Sequence, residues 1–259
     1  MPVLSVITVS YNARSTIEDT LRSVQSQKTE EVEYVVIDGS STDGTREVLD
    51  SYSDTIDILV SESDSGIYDA MNKGIKASSG RYFCFLNSGD WYTDGALRKA
   101  LDGLRTNMSD VLYGNLVYVD NSGTIRRLWN PGKFDPRKLR HLWVPPHEAT
   151  FIKRELVSRV GLLQTRYRIA AGYNMLLQAF CNGSTFIHLD VVLVVMRSGG
   201  TATKSIGNII RGNKEIAAAY KDVFGRYPKA IVFRKLVRQW QQRNAARKCA
   251  LSSEEQFGK

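Results

Sequence analysis

Cysteine is scarce and unpatterned. Cys84, Cys181 and Cys249 are odd in number and scattered without metal-ligand spacing, which argues against a disulfide framework and a zinc site and fits a reducing compartment. No run of about 18 or more apolar residues occurs, so no segment is long enough to span a bilayer. The apolar start VLSVITV lacks the basic flank and the length of a signal peptide. The expected location is cytoplasmic, with peripheral attachment to the inner face of the cytoplasmic membrane left open. Internal repeats and low-complexity linkers are absent. Acidic residues are missing between Asp222 and Glu254 while basic ones crowd there, so the net charge of +8 is unevenly placed, the tail being its basic end. No nucleic-acid-binding motif accompanies that charge, and the acidic front half argues against such a partner.

At 259 residues and 42% hydrophobic, the chain can build one large α/β domain with a substantial core. Residues 3–9 read as a buried strand, and Ser15 with Glu18 reads as a capping box for a helix that turns Ile17, Leu21 and Val24 inward. Val32 to Asp38 is a strand covered on both faces, followed by a helix from Thr45 to Tyr52. Ile56 to Val60 is a short strand. Ile67, Met71 and Ile75 have helical spacing, with Gly80 as C-cap, and Tyr82 to Leu86 is a fourth strand. This alternation predicts a mainly parallel sheet with helices on its faces. Beyond Asp110 the grammar changes. VLYGNLVYV, the turn residues Asn121 to Gly123, and TIRRLW predict an antiparallel hairpin. A strand over His147 to Ile152, a helix over Ala171 to Phe180, strands over Thr185 to Leu189 and Val191 to Met196, and helices over Ile206 to Phe224 and Ala230 to Lys248 complete the reading.

Three apolar runs break into acidic, Gly-containing turns within the first 95 residues: VVIDGSSTDGT, SDSGIYDAMNKG and RYFCFLNSGDW. In an open α/β sheet such turns collect at the carboxyl ends of the strands, where ligands bind. A carboxylate there can hold a divalent cation, and the cation a diphosphate.

In this order and spacing, SVITVSYN, VIDGSSTDGT, DSGIYDAMNKGI and FLNSGD resemble a family 2 glycosyltransferase of the GT-A fold, nearest to bacterial enzymes that assemble capsular, colanic-acid-type or O-antigen units. The likeness runs nearly continuously over residues 3–105 and more loosely over 145–203. It implies a GT-A domain over 1–205, with a nucleotide-binding half (1–109) and an acceptor half (110–205), and a basic helical extension over 206–259. It also implies a metal-dependent, inverting transfer of a sugar from a nucleotide donor, UDP-linked for preference, to a hydroxyl of a surface glycan or lipid-linked oligosaccharide.

By the same resemblance, Thr8, Ser10, Tyr11 and Asn12 grip the nucleotide and Asp38 accepts the uracil imide N–H. Ser40, Asp43 and Asp64 lie near the nucleotide, while Asp69, Asn72 and Lys73 share one helical face toward ribose, diphosphate or sugar. The family's usual Asp-x-Asp is replaced by Asn87-Ser88-Gly89-Asp90, so Asp90 would hold Mg²⁺ or Mn²⁺, Asn87 would contact ribose or water, and His188 is a further candidate ligand. Gly199, Gly200, Thr201 and Lys204 fall in a segment similar to the family's closing loop.

The family's general base is absent. It resembles an Asp opening a helix after an HxxxF strand, and here HEATF is followed by Ala170-Ala171-Gly172-Tyr173. Gly172 cannot take a proton, which leaves Glu148, His147 or Asp69 as substitutes, or a sugar-nucleotide-binding scaffold without catalysis. In the tail, Ile231 or Val232, Leu236 and Trp240 form an apolar stripe bordered by Arg234, Lys235, Arg238 and Arg243, a pattern that suits an anionic membrane surface or a packed helix, with a homo-oligomer also left open.

Overall fold

The computed structural model describes residues 1–141, 143–197, 206–227 and 237–246. Strands β1 (Leu4–Ser10), β2 (Val32–Asp38), β3 (Ile58–Ser61) and β4 (Tyr82–Phe85) are parallel and joined by helices α1 (Ile17–Gln25), α2 (Thr45–Asp50) and α3 (Ile67–Ala77). β1 is buried along its whole length and β2 along nearly all of it, because helices cover both faces; this is why their sequences are continuous apolar runs. Ser10, Asp38 and Ser61 stand side by side in register. The polar turns that follow β1, β2 and β3 therefore emerge together on one edge.

The second half closes the sheet. After β5 (Trp91–Tyr92) and α4 (Ala96–Asn107), β6 (Val111–Val119) and β7 (Ile125–Trp129) form the expected antiparallel hairpin. β8 (Thr150–Lys153) inserts between β4 and β6, antiparallel to both, and β9 (Phe186–Arg197) runs parallel to β6 and antiparallel to β5. The order is β3-β2-β1-β4-β8-β6-β9-β5, with β7 beside β6. Ile7, Ile37, Phe83 and Tyr113 face one core with residues of α3, α5 (Leu156–Val160) and α6 (Ala171–Cys181), while Leu4, Val6 and Tyr34 face the other with α1 and α4. Helix α7 (Ile206–Phe224) joins the first core through Ala219 and Tyr220, and its Asp222 accepts hydrogen bonds from Tyr167 and Arg166.

Several local expectations are corrected. Helix α1 begins at Ile17 after Thr16 with no side-chain cap, and Glu18 pairs with Arg22 one turn on, so no capping box forms at Ser15. Helix α3 stops at Ala77, and Gly80 lies against β1 instead: an added Cβ would come within 2.7 Å of the Ser5 backbone N, so close packing rather than capping requires glycine there. Ile67 opens α3 but is exposed. His147–Ala149 is a 3₁₀ turn ahead of β8, and the two segments expected around Asp190 are one strand, β9. In the tail, residues 237–246 are helical, with Gln242 and Ala246 buried and Trp240 65% exposed, so Trp240 does not face inward. Ile231, Val232, Arg234, Lys235 and Leu236, and the loop residues Gly199, Gly200, Thr201 and Lys204, lie outside the described residues. No helix among the described residues is long and apolar enough to cross a membrane.

Candidate active site

At the ends of β1 and β2, chain geometry makes a slot. Ser10 is buried with its Oγ unpaired, and the Tyr11 ring that follows is 67% exposed. A Cβ added at Gly39 would come within 2.6 Å of Asp64 Oδ2 and 3.2 Å of Tyr11 Cδ2, so Gly39 floors a gap between an aromatic face and a carboxylate oxygen. Asp64 Oδ1 accepts the Gly66 N–H at 2.7 Å and fixes the carboxylate in place.

The residues around this slot build it rather than face it. Asp38 is fully buried, and its carboxylate accepts from Ser41 Oγ (2.5 Å), Ser41 N–H (3.0 Å) and Ser61 Oγ (2.8 Å). It ties the turn after β2 to β3. Asn12, at φ 48°, donates its N–H to Ser41 Oγ and accepts the Thr42 N–H at Oδ1. Asp43 binds the N–H groups of Arg14 and Thr45 and, most strongly, the Thr45 hydroxyl, which holds its carboxyl below the usual range. Thr8 is buried and bonded to Tyr34 Oη at 3.0 Å. Ser40, at φ 60°, is exposed along with Tyr11, Asn12 and Asp43.

The α3 face divides similarly. Asn72 is buried and bridges both the N–H and the C=O of Leu163, so it fastens α3 to the second half. Lys73 binds Glu62 (2.8 Å) and the Ser63 carbonyl (2.7 Å), and Asp69 accepts the Ser65 N–H, which together fix the loop carrying Asp64.

The turn from Asn87 to Asp90 is pinned from α1. Thr20 Oγ1 donates to the Asp90 carbonyl (2.8 Å) and accepts the Gly89 N–H (2.9 Å), and Gly89 sits at φ +93°. Asp90 is 6% exposed. Burial raises its pKa well above the ordinary value and the Glu148 charge adds to this, while the Arg197 N–H and guanidinium oppose it. Arg197 is itself ion-paired with Asp19 and lies 5.0 Å over the Trp91 ring. The Asn87 Oδ1 is buried without a hydrogen-bond partner among the described residues. A repelled carboxylate beside an orphaned carbonyl oxygen fits a hard divalent cation that takes its remaining ligands from phosphate and water. Among the described residues no group of three or more His, Cys, Asp or Glu forms a cage.

His188 is not brought to this point. Its Nε2 lies 2.9 Å from Asn115 Oδ1 and its ring stacks on Tyr113 at 5.1 Å. It pairs with Tyr113, whereas Val195, the partner of Trp91, pairs with Val117 four residues farther along β6, which puts it roughly 13 Å from Val195.

Beside the end of β4 stand His147 and Glu148. The His147 ring stacks on Phe85 at 5.0 Å, and a Cβ at Gly172 would lie 2.5 Å from His147 Cδ2 and 2.8 Å from Nε2. The imidazole occupies the space a residue-172 side chain would need. Its Nε2 is buried without a hydrogen-bond partner among the described residues, and burial pushes its pKa down, which favours the neutral ring. Glu148 is partly exposed and makes no hydrogen bond to another described residue, yet its charge acts on Asp90, His147, Tyr68, Tyr118 and Arg127. It is the carboxylate around which this side of the site is arranged.

A strand-end slot, a buried acid at the end of the next turn and an α/β sheet closed by β8 and β9 are matched by one family model, Glycosyl transferase family 2, over residues 5–161. The chain belongs to that family. Among family 2 relatives, the putative teichuronic acid biosynthesis glycosyltransferase TuaG of Bacillus subtilis is 42% identical over 104 residues, covering 39% of this chain and 41% of TuaG. A PGL/p-HBAD biosynthesis glycosyltransferase of Mycobacterium bovis is 29% identical over 186 residues (70% and 71%), and an uncharacterized glycosyltransferase of Mycobacterium tuberculosis 33% over 183 residues (69% and 69%). The chain thus spans less than half of TuaG and about 70% of the mycobacterial relatives. The fold is GT-A. It is similar to residues 1–349 of S. aureus TarS in complex with UDP-GlcNAc (TM-score 0.66, 19% identity, 86% of this chain and 68% of that one). The mannosyltransferase PcManGT of Pyrobaculum calidifontis in complex with GDP-Man and Mn²⁺ is also similar (TM-score 0.64, 21% identity, 97% and 75%).

Tyr68, Tyr118, Arg127 and Arg197 also surround this family 2 site and escape the sequence reading. Arg127 faces Tyr118 in the hairpin register, with its guanidinium 3.7 Å over that ring. Strand alternation in TIRRLW was the available signal for it; Tyr118 and Arg197 depend on how β6 and β9 pair, and Tyr68 on how α3 meets the start of α6.

Proposed function

We propose that the protein is a metal-dependent, inverting glycosyltransferase that moves a hexose-type sugar from a UDP-linked donor to a hydroxyl of a bacterial surface polysaccharide or lipid-linked oligosaccharide. The observation that carries this reading is one sheet edge that presents the Tyr11–Gly39–Asp64 slot beside the buried Asp90 and the unpaired Asn87 oxygen. Tyr11 would stack on the base. Asp64 Oδ2, an acceptor, suits the imide N–H of uracil; this role moves from Asp38, whose oxygens are engaged. Asp90 and Asn87 would hold Mg²⁺ or Mn²⁺, which when bound neutralises charge on the leaving diphosphate. The structures of TarS with UDP-GlcNAc and of PcManGT with GDP-Man and Mn²⁺ support a nucleotide-sugar donor for this fold.

Inversion requires attack from the face opposite the leaving group, so a proton acceptor belongs on the acceptor side. Glu148 is assigned that role: it is the partly exposed carboxylate there, and it takes the proton from the attacking hydroxyl as the new glycosidic bond forms. The second reading, a donor-binding protein without turnover, is favoured by one observation, the imidazole packed into the space at Gly172.

Thermal stabilisation tests the donor assignment. UDP with Mn²⁺ is expected to stabilise the protein more than GDP or dTDP, and a ligand at 100 times its Kd adds about 2.7 kcal/mol. No response to UDP would sink the reading. Gly39→Ala places a methyl 2.6 Å from Asp64 Oδ2 and should weaken UDP binding roughly tenfold, the size of a small overpacking penalty; unchanged affinity would move the base elsewhere.

A further inference from the structure

The β6–β7 hairpin carries a cation that the transfer step does not use. Arg127 lies 3.7 Å over the Tyr118 ring and 5.6 Å from the Trp129 ring, and its Nε is buried without a hydrogen-bond partner among the described residues. Burial lowers its pKa, and the charge of Arg243, from the 237–246 helix, lowers it further. The Tyr118 hydroxyl and the Glu148 charge oppose these effects, but no described carboxylate comes within ion-pair distance of Arg127. A half-buried guanidinium whose Nε–H has no acceptor gains from an anion that brings one. A guanidinium fixed by stacking presents its N–H fork to a planar or tetrahedral oxyanion.

Position identifies which anion. The charges that act on Asp90 are Glu148 and Arg197, whereas those on Arg127 are Tyr118, Arg243 and Glu148. β8, which Glu148 precedes, and β7, which carries Arg127, flank one edge of β6, while β9 and then Trp91, next to Asp90, lie on its other edge, so Glu148 and Arg127 share the side away from the acid assigned to the donor diphosphate. In an inverting transfer the base is on the acceptor side, so a cation on the side of the base meets the acceptor.

We propose that Arg127, with Arg243, forms a binding site for an anionic group of the acceptor, a phosphate or a carboxylate carried near the attacking hydroxyl. This rests on the transferase reading for its placement, and Arg243 adds long-range attraction from an exposed helix face.

The test is calorimetric titration of the UDP-saturated, metal-free protein with inorganic pyrophosphate and, separately, with glucuronate. UDP fills the donor diphosphate position, so pyrophosphate should bind at one further site. Arg127→Gln should weaken that binding about tenfold or more, and Arg243→Gln less, with UDP affinity unchanged in both as proof of an intact fold. Preference for pyrophosphate assigns the site to a phosphorylated acceptor; preference for glucuronate assigns it to a uronic acid. The proposal is overturned if neither anion binds beside UDP, if pyrophosphate simply displaces UDP, or if Arg127→Gln binds as well as the parent. Failure of UDP to bind both with and without Mn²⁺ would strike the donor assignment instead, and Arg127-dependent binding of pyrophosphate to the unloaded protein would still decide this one.

Discussion

Glu148→Gln is expected to lower turnover by about 10²- to 10⁴-fold at saturating donor, with UDP affinity unchanged, because glutamine keeps the volume and hydrogen-bonding reach of glutamate but takes no proton. The companion variant is Gly172→Asp, which restores a carboxylate at the family position. In this chain its Cβ would lie 2.5 Å from His147 Cδ2, so the ring must leave its stack on Phe85. Displacement of that kind costs about 1–3 kcal/mol, read as a lower Tm, and turnover should not rise. Steady-state kinetics and thermal denaturation of both variants decide the matter. A tenfold gain from Gly172→Asp, or full activity in Glu148→Gln, would take the base away from Glu148.

Asp90→Asn should reduce turnover by about 10³-fold or more and abolish the response to Mn²⁺, since stabilisation of a departing diphosphate by a cation is worth several kcal/mol. Folding should be spared. Asparagine resembles the protonated acid, and the substitution removes the repulsion between Asp90 and Glu148 from a nearly buried site. The same repulsion gives metal binding a pH dependence. Burial and Glu148 raise the Asp90 pKa, so the proton is held to higher pH than in an ordinary carboxyl, and proton and cation compete for the same oxygen. Mn²⁺ affinity in the parent should therefore rise with pH through that raised pKa and then level off. Titration at several pH values reads this directly; affinity that falls with rising pH, or Asp90→Asn retaining Mn²⁺ dependence, would remove the cation from Asp90.

Element type was legible where the signal is local. The strand from Val32 to Asp38 and the helix from Ile206 to Phe224 have the bounds their patterns indicate, because burial on both faces or along one stripe is written into residue spacing. Boundaries set by nonlocal contact were not. Gly80 reads as a helix cap and serves as a close-packing point against Ser5. Asp38 and Asp43 carry the right chemistry for a ligand and spend it on their own loop, as turn acids do when backbone donors lie within two or three residues, while Asn12 spends its side-chain oxygen on Thr42 of the next turn.

The amino-acid sequence by itself determined the family, the α/β class and the collection of acidic turns at one end of the first four strands, since period, β-branching and turn residues are properties of neighbouring positions. Tertiary structure decided which oxygens remain free. Only the three-dimensional fold sets Asp64 over Gly39, wedges His147 against Gly172, and gathers Glu148, Asp90 and Arg127 through β8 inserted between β4 and β6. The reason is physical: a side chain's availability depends on what the rest of the chain brings within about 3 Å of it, and that distance is not encoded in spacing along the sequence.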